Sequence, residues 1–144
     1  MKKLLCSLLF AACLCLACNA SAAVQEFGPD FCRFVIDVKD WNATPNENGA
    51  LFIDPAKSCS VVIAVQKNQG ENAETICKAI AKEAGMDDAE EVTKKDDTYS
   101  VKGTVKNQLT LITVAINGDN FICISITGDL QKGASFIDTL DEKK

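Results

Sequence analysis

Apolar and polar positions alternate along this chain with two different periods, and the change of period marks its elements. In residues 31–38, Cys32, Phe34, Ile36 and Val38 share one side, with Arg33 and Asp37 on the other. That is the pattern of a half-buried strand. Residues 40–49 are polar and contain Pro45, Asn46, Asn48 and Gly49, so they read as a loop. Residues 50–54 form a short strand stopped by Pro55. Residues 59–66 form a stronger one, with Cys59, Val61, Ile63 and Val65 on one face.

From Ala73 to Ala84 the spacing shifts to i, i+3, i+4, i+7 through Ala73, Ile76, Cys77, Ile80, Ala81 and Ala84, which predicts an amphipathic helix. Asn72 suits its N-cap, Glu74 its positive end, Lys82 its negative end, and Gly85 the left-handed position beyond it. Residues 86–91 are acidic and irregular, 92–94 a short strand, and Asp96-Asp97 a turn into a strand over 99–105. Residues 109–117 and 121–127 are two β-rich runs joined by Asn117-Gly118-Asp119-Asn120, a hairpin signal. Ala134, Phe136, Ile137 and Leu140 place a short closing helix over 132–142. Both faces of the two long runs are largely apolar, as in a sheet covered on both sides. The expected fold class is therefore α+β: a mainly antiparallel sheet of about six strands with helices on both faces, an α/β/α sandwich.

Residues 1–23 follow a different logic. Met1-Lys2-Lys3 is a basic start, residues 4–17 are uncharged with only Ser7 polar, and Ala20-Ser21-Ala22 and Ser21-Ala22-Ala23 offer small-residue cleavage sites. These are the three parts of a cleavable export signal. The apolar run is shorter than the roughly 20 residues a membrane span needs. Leu14-Cys15-Leu16-Ala17-Cys18 also resembles a lipoprotein site, which would leave Cys18 acylated at the N-terminus. The expected organisation is a signal over 1–23 and a single domain over 24–144. The expected location is periplasmic or extracellular, or membrane-anchored if Cys18 carries lipid.

Composition narrows the function. Beyond residue 23 there are 13 basic and 20 acidic residues, a formal charge of −7. Such a domain gains nothing from counterion release, which argues against nucleic acid and anionic membrane surfaces as partners. The chain has no histidine. Histidine-based nucleophile pairs and metal sites are thereby excluded, and an enzyme would need carboxylates, lysine, tyrosine or an unassisted thiolate. Four cysteines remain after cleavage: Cys32, Cys59, Cys77 and Cys123. An even count in an exported domain makes all four disulfide candidates, with the pairing open; buried thiols are the alternative. No Cys-x-x-Cys occurs among them, so neither a zinc ribbon nor a thioredoxin-type site is expected.

Trp41, the single tryptophan, is the one binding candidate, set against its reading as a plug at one end of the core. Asp87, Asp88, Glu90 and Glu91 read as a solvated loop, since no calcium-loop spacing is present. Cys77 lies mid-helix, away from the N-terminus that would activate a thiolate. Glu26, Asp37 and Asp54 show no spacing that pairs two carboxylates.

The order of parts resembles the PsbP-like fold group, which includes an extrinsic photosystem II subunit and small bacterial envelope proteins of the DcrB-like kind. The resemblance runs through Phe34-Val35-Ile36-Asp37-Val38 into Asp40-Trp41, then residues 59–66, 74–85, Thr98-Tyr99-Ser100-Val101, the strands around Gly118-Asp119, and Ser125-Ile126-Thr127-Gly128-Asp129 before Phe136-Ile137. Members often have Pro-x-Gly-Trp where this chain has Val38-Lys39-Asp40-Trp41. The resemblance implies an antiparallel sheet between helices and no common catalytic site. The expected function is a non-enzymatic binding or accessory module of the cell envelope, with no cofactor, whose partner is an envelope protein or small ligand. The alternatives are an assembly factor anchored through Cys18 and a histidine-free enzyme.

Overall fold

The computed structural model describes residues 24–142. The expected signal, including Cys18, lies outside the described residues. The main body is a seven-stranded antiparallel sheet in the order β3-β4-β5-β9-β8-β7-β6. Its strands are β3 (Asn42–Asn46), β4 (Gly49–Ile53), β5 (Cys59–Lys67), β6 (Thr93–Lys95), β7 (Thr98–Val105), β8 (Gln108–Asn117) and β9 (Asn120–Gly128). Strands β6 to β9 form a meander whose last member returns to pair with β5 along its whole length, from Cys59 opposite Gly128 to Lys67 opposite Asn120. A second, three-stranded sheet has the order β1-β2-β10, with β1 at Val24–Phe27, β2 at Phe34–Asp37 and β10 at Asp141–Glu142. Two helices complete the fold, α1 (Ala73–Glu83) and α2 (Leu130–Ile137).

Antiparallel register fixes which side chains share a face. Val61, Ile63 and Val65 on β5 stand opposite Ile126, Ile124 and Ile122 on β9 and beside Phe52 and Ala50 on β4. This face meets the small sheet and Phe136 of α2 in one buried cluster with Phe27, Phe34, Ile36, Val38 and Trp41. The other face presents Val101, Ile112, Val114 and Phe121, and α1 lays Ala73, Ile76, Cys77, Ile80 and Ala81 on it. The expected helical cover on both faces is not what is built. There are two helices among the described residues; α1 spans the β7–β8 part of one face, and the small sheet supplies much of the cover that α2 leaves open on the other.

Three local expectations also change. Residues 42–46, expected within the 40–49 loop, form β3, which pairs as a hairpin with β4, the strand expected at 50–54. Its polar residues are tolerated because β3 is an edge strand, where Pro45 needs no N–H for a further neighbour. The closing helix ends at Ile137, and the chain then turns through Leu140 N–H to Ile137 O into β10. β1 was not anticipated at all. By contrast α1 begins and ends where its signals place it: Asn72 Oδ1 accepts from Thr75 N–H, and Gly85 has φ of 67°.

Candidate functional site

The Val38–Trp41 corner closes with Trp41 N–H donating to Val38 O at 2.8 Å, with Lys39 in the left-handed region at φ 45°. The corner carries Trp41 inward. The ring stacks on Phe136 at 4.1 Å between centroids and 16° between planes, and only 8 % of the residue is exposed. Phe136 in turn lies 5.1 Å from Phe52, which meets Phe27 edge-on at 5.1 Å. Trp41 is thus placed as part of the core, joining the main sheet's cover to α2.

No bond joins the four cysteines to one another. Cys77 donates to the carbonyls of Tyr99 at 3.6 Å and Ile112 at 3.8 Å. Burial pushes the Cys59 thiol up to about 11, with Asp54 adding to the effect, and pushes Cys77 up to about 11. Burial and the neighbouring Cys77 raise Cys123 to about 12. These three thiols stay protonated near neutral pH and are poor nucleophiles.

The carboxylates considered from sequence separate. Glu26 pairs with Arg33, and Asp37 accepts the Lys39 N–H at 3.0 Å. Asp54 does something the sequence did not reveal. It is 1 % exposed and sits at the end of β4. Its Oδ1 accepts Cys59 N–H at 2.7 Å, and its Oδ2 accepts from Ser58 Oγ at 3.0 Å and Lys132 Nζ at 2.9 Å. Lys132 also donates to Ser58 Oγ at 2.8 Å. Burial acts to raise the Asp54 carboxyl, but the Cys59 N–H, Lys132 and Ser58 outweigh it and bring the group down to about 2.

A serine in contact with a lysine invites comparison with a nucleophile and its base, which requires a neutral amine. Here the Asp54 hydrogen bond raises Lys132 above its ordinary value, so the ammonium keeps its proton. The cluster is an electrostatic latch between the β4–β5 loop and the first turn of α2. The backbone bond from Asp129 N–H to Ser58 O at 3.0 Å reinforces it.

The opposite side of the molecule is open. Between α1 and residues 86–92 runs a groove of about 520 Å³. Ala81, Met86, Val92 and Val101 give it an apolar floor, and Glu74, Lys78, Lys82, Glu90 and Glu91 its charged rim. Gly103 sets the spacing. A Cβ there would meet Met86 Cγ at 2.5 Å and Asp87 O at 2.8 Å, so the absence of a side chain lets the segment lie against β7. The segment is tied down by the paired bonds of Asp87 and Thr104 and by Glu90 N–H to Lys102 O, each 2.8 Å. Glu74 pairs with Lys78 and Glu90 with Lys102; Asp87, Asp88, Glu91 and Lys82 make no ion pair among the described residues. No three cysteine, aspartate or glutamate side chains there converge as a metal-binding group. The acidic run was legible in sequence. The floor was not, because Met86, Val92 and Val101 come together only when the segment folds back over β7.

No helix among the described residues is long and apolar enough to cross a membrane. No family model and no curated protein matches the chain. Among solved structures, cyanobacterial PsbP (CyanoP) from Synechocystis sp. PCC 6803 is similar with a TM-score of 0.51 at 11% identity, over 88% of this chain and 97% of that one. A crystal structure from Bacteroides thetaiotaomicron VPI-5482 has a TM-score of 0.44 at 18% identity, over 77% of this chain and 45% of that one. The chain has a PsbP-like fold.

Proposed function

We propose that this chain is an exported, non-enzymatic binding or accessory module of the cell envelope, a single domain over 24–144 released by cleavage after Ala22 or Ala23, and that it works through the α1 groove. The groove carries the reading: an apolar floor with a charged rim is the form of a surface that holds a partner or ligand. Support for a non-catalytic role comes from the latch, where the lysine in contact with Ser58 is held in its charged form by Asp54. The chain's net acidity weighs against nucleic acid and anionic membranes.

Export is tested by the intact mass of the protein taken from its native envelope, with and without reduction and alkylation. A mass beginning at Ala23 or Val24, with four thiols alkylated without prior reduction, is the expected result. A mass beginning at Cys18 with acyl groups replaces release by membrane anchoring. A mass retaining Met1 contradicts export.

A further inference from the structure

Met86 is the only methionine beyond Met1, so it is the single thioether of residues 24–144. It lies half-buried on the floor of the groove, with its backbone N–H on Ala81 O at 3.0 Å where α1 ends. Its side chain is so close to β7 that a Cβ on Gly103 would come within 2.5 Å of its Cγ and 2.7 Å of its Sδ. Residues 87–91 are exposed, and Val92 is the other side chain of the segment that packs with the α1 cluster. The polar ties of the segment to β7 include the Asp87–Thr104 backbone pair, Glu90 N–H on Lys102 O and an exposed Glu90–Lys102 ion pair at 3.6 Å. An exposed pair of this kind contributes little. Much of the attachment therefore falls to the packing of Met86 and Val92.

We propose that Met86 is an oxidation site that acts as a clasp: its conversion to the sulfoxide by a hydroperoxide frees residues 86–92 from β7 and widens the groove, and a methionine sulfoxide reductase with a dithiol as reductant closes it again. In the forward step a lone pair on Sδ attacks one peroxide oxygen. The S–O bond forms as the O–O bond breaks, and the other oxygen takes the proton and leaves as water, or as an alcohol from an alkyl hydroperoxide. Sulfur gives up two electrons and the peroxide is reduced. The product is polar and larger by one oxygen. The backbone N–H groups of Asp87 and Thr104 beside it are already given to each other's carbonyls, so the new oxygen has to turn toward water. Cys59, Cys77 and Cys123 compete poorly for the same oxidant, because burial keeps them protonated and the thiolate is the reactive form. The clasp works whatever the groove binds.

The test is amide hydrogen–deuterium exchange, read by mass spectrometry, on the protein purified from its envelope before and after hydrogen peroxide, with peptide mapping of the oxidised residues. Peptides covering 86–92 should gain one oxygen at Met86 and exchange about tenfold faster, while β5 and β9 stay unchanged. Treatment with the reductase should restore slow exchange. Met86→Leu keeps an apolar side chain of similar volume and should hold the segment closed through the same peroxide treatment. Met86→Gln places a polar group at the same position and should exchange fast without peroxide. A sulfoxide at Met86 with unchanged exchange over 86–92 overturns the clasp, and so does a Met86 that the folded protein shields from peroxide. Equal acceleration in Met86→Leu places the sensitive group elsewhere and overturns it too. Acceleration that extends through β5 and β9 means that oxidation unfolds the domain, and is equally contrary.

Discussion

The two faces of the main sheet are covered by different means. On one, a small sheet and α2 enclose an aromatic cluster, and a buried carboxylate pins the β4–β5 loop to the helix. On the other, α1 packs alanine, isoleucine and cysteine side chains over β7 and β8, and the chain beyond it folds back without closing the space it bounds. The first side buries Phe27, Phe34, Phe52, Phe136 and Trp41, and its polar contacts are satisfied internally. The second keeps charged side chains at the mouth of an apolar groove. Rings packed this closely have few ways to rearrange, whereas a methionine and an irregular segment have many. On the proposed reading, stability belongs to the latched side and recognition to the open one.

That division can be broken from either side, and the largest effect is expected on the latched one. Phe52 is fully buried between Phe27 and Phe136. Phe52→Ala should cost about 3–5 kcal/mol in urea unfolding; a loss below about 1 kcal/mol would mean the cluster is not the stabilising centre.

Asp54→Asn should come next, lowering Tm on the order of 10 °C by leaving Lys132 and Ser58 without their acceptor. The pH dependence has a definite sign. The Asp54 carboxyl is lower in the folded chain than its ordinary 3.8, so its stabilisation is complete above that value and is lost as pH falls to about 2. Asp54→Asn should flatten the acid unfolding curve in that window. An unchanged acid curve would remove the latch from the account.

On the open side, Gly103→Ala should cost about 1–3 kcal/mol, because Met86 and the Asp87 carbonyl must give way. Its sharper signature is faster amide exchange at residues 86–92 with β5 and β9 unaffected. Asn72→Ala should cost about 1 kcal/mol through the lost N-cap bond to Thr75 N–H, read by chemical denaturation.

Legibility in the sequence follows the range of the interactions. α1 was readable because its period, its cap at Asn72 and Gly85 all act within a few residues. The β8–β9 hairpin was readable because Gly118, at φ 56°, makes the turn locally. β1 and β10 were not, since Val24-Gln25-Glu26-Phe27 does not alternate and two residues cannot show a period. β3 was masked by the polar composition that an edge strand permits. The latch joins Asp54 to Lys132 across 78 residues. Nothing local to either residue announces the other. Trp41 offered two readings of one residue, and its surroundings place it against Phe136.

The most direct test of the assignment is site-specific photocrosslinking in the native envelope, with the crosslinking residue at Ala89 on the groove or at Lys57 on the exposed β4–β5 loop. The account predicts an adduct with another protein from position 89, identified by mass spectrometry, and none from position 57. Adducts from position 57 alone, or from neither position, would contradict it.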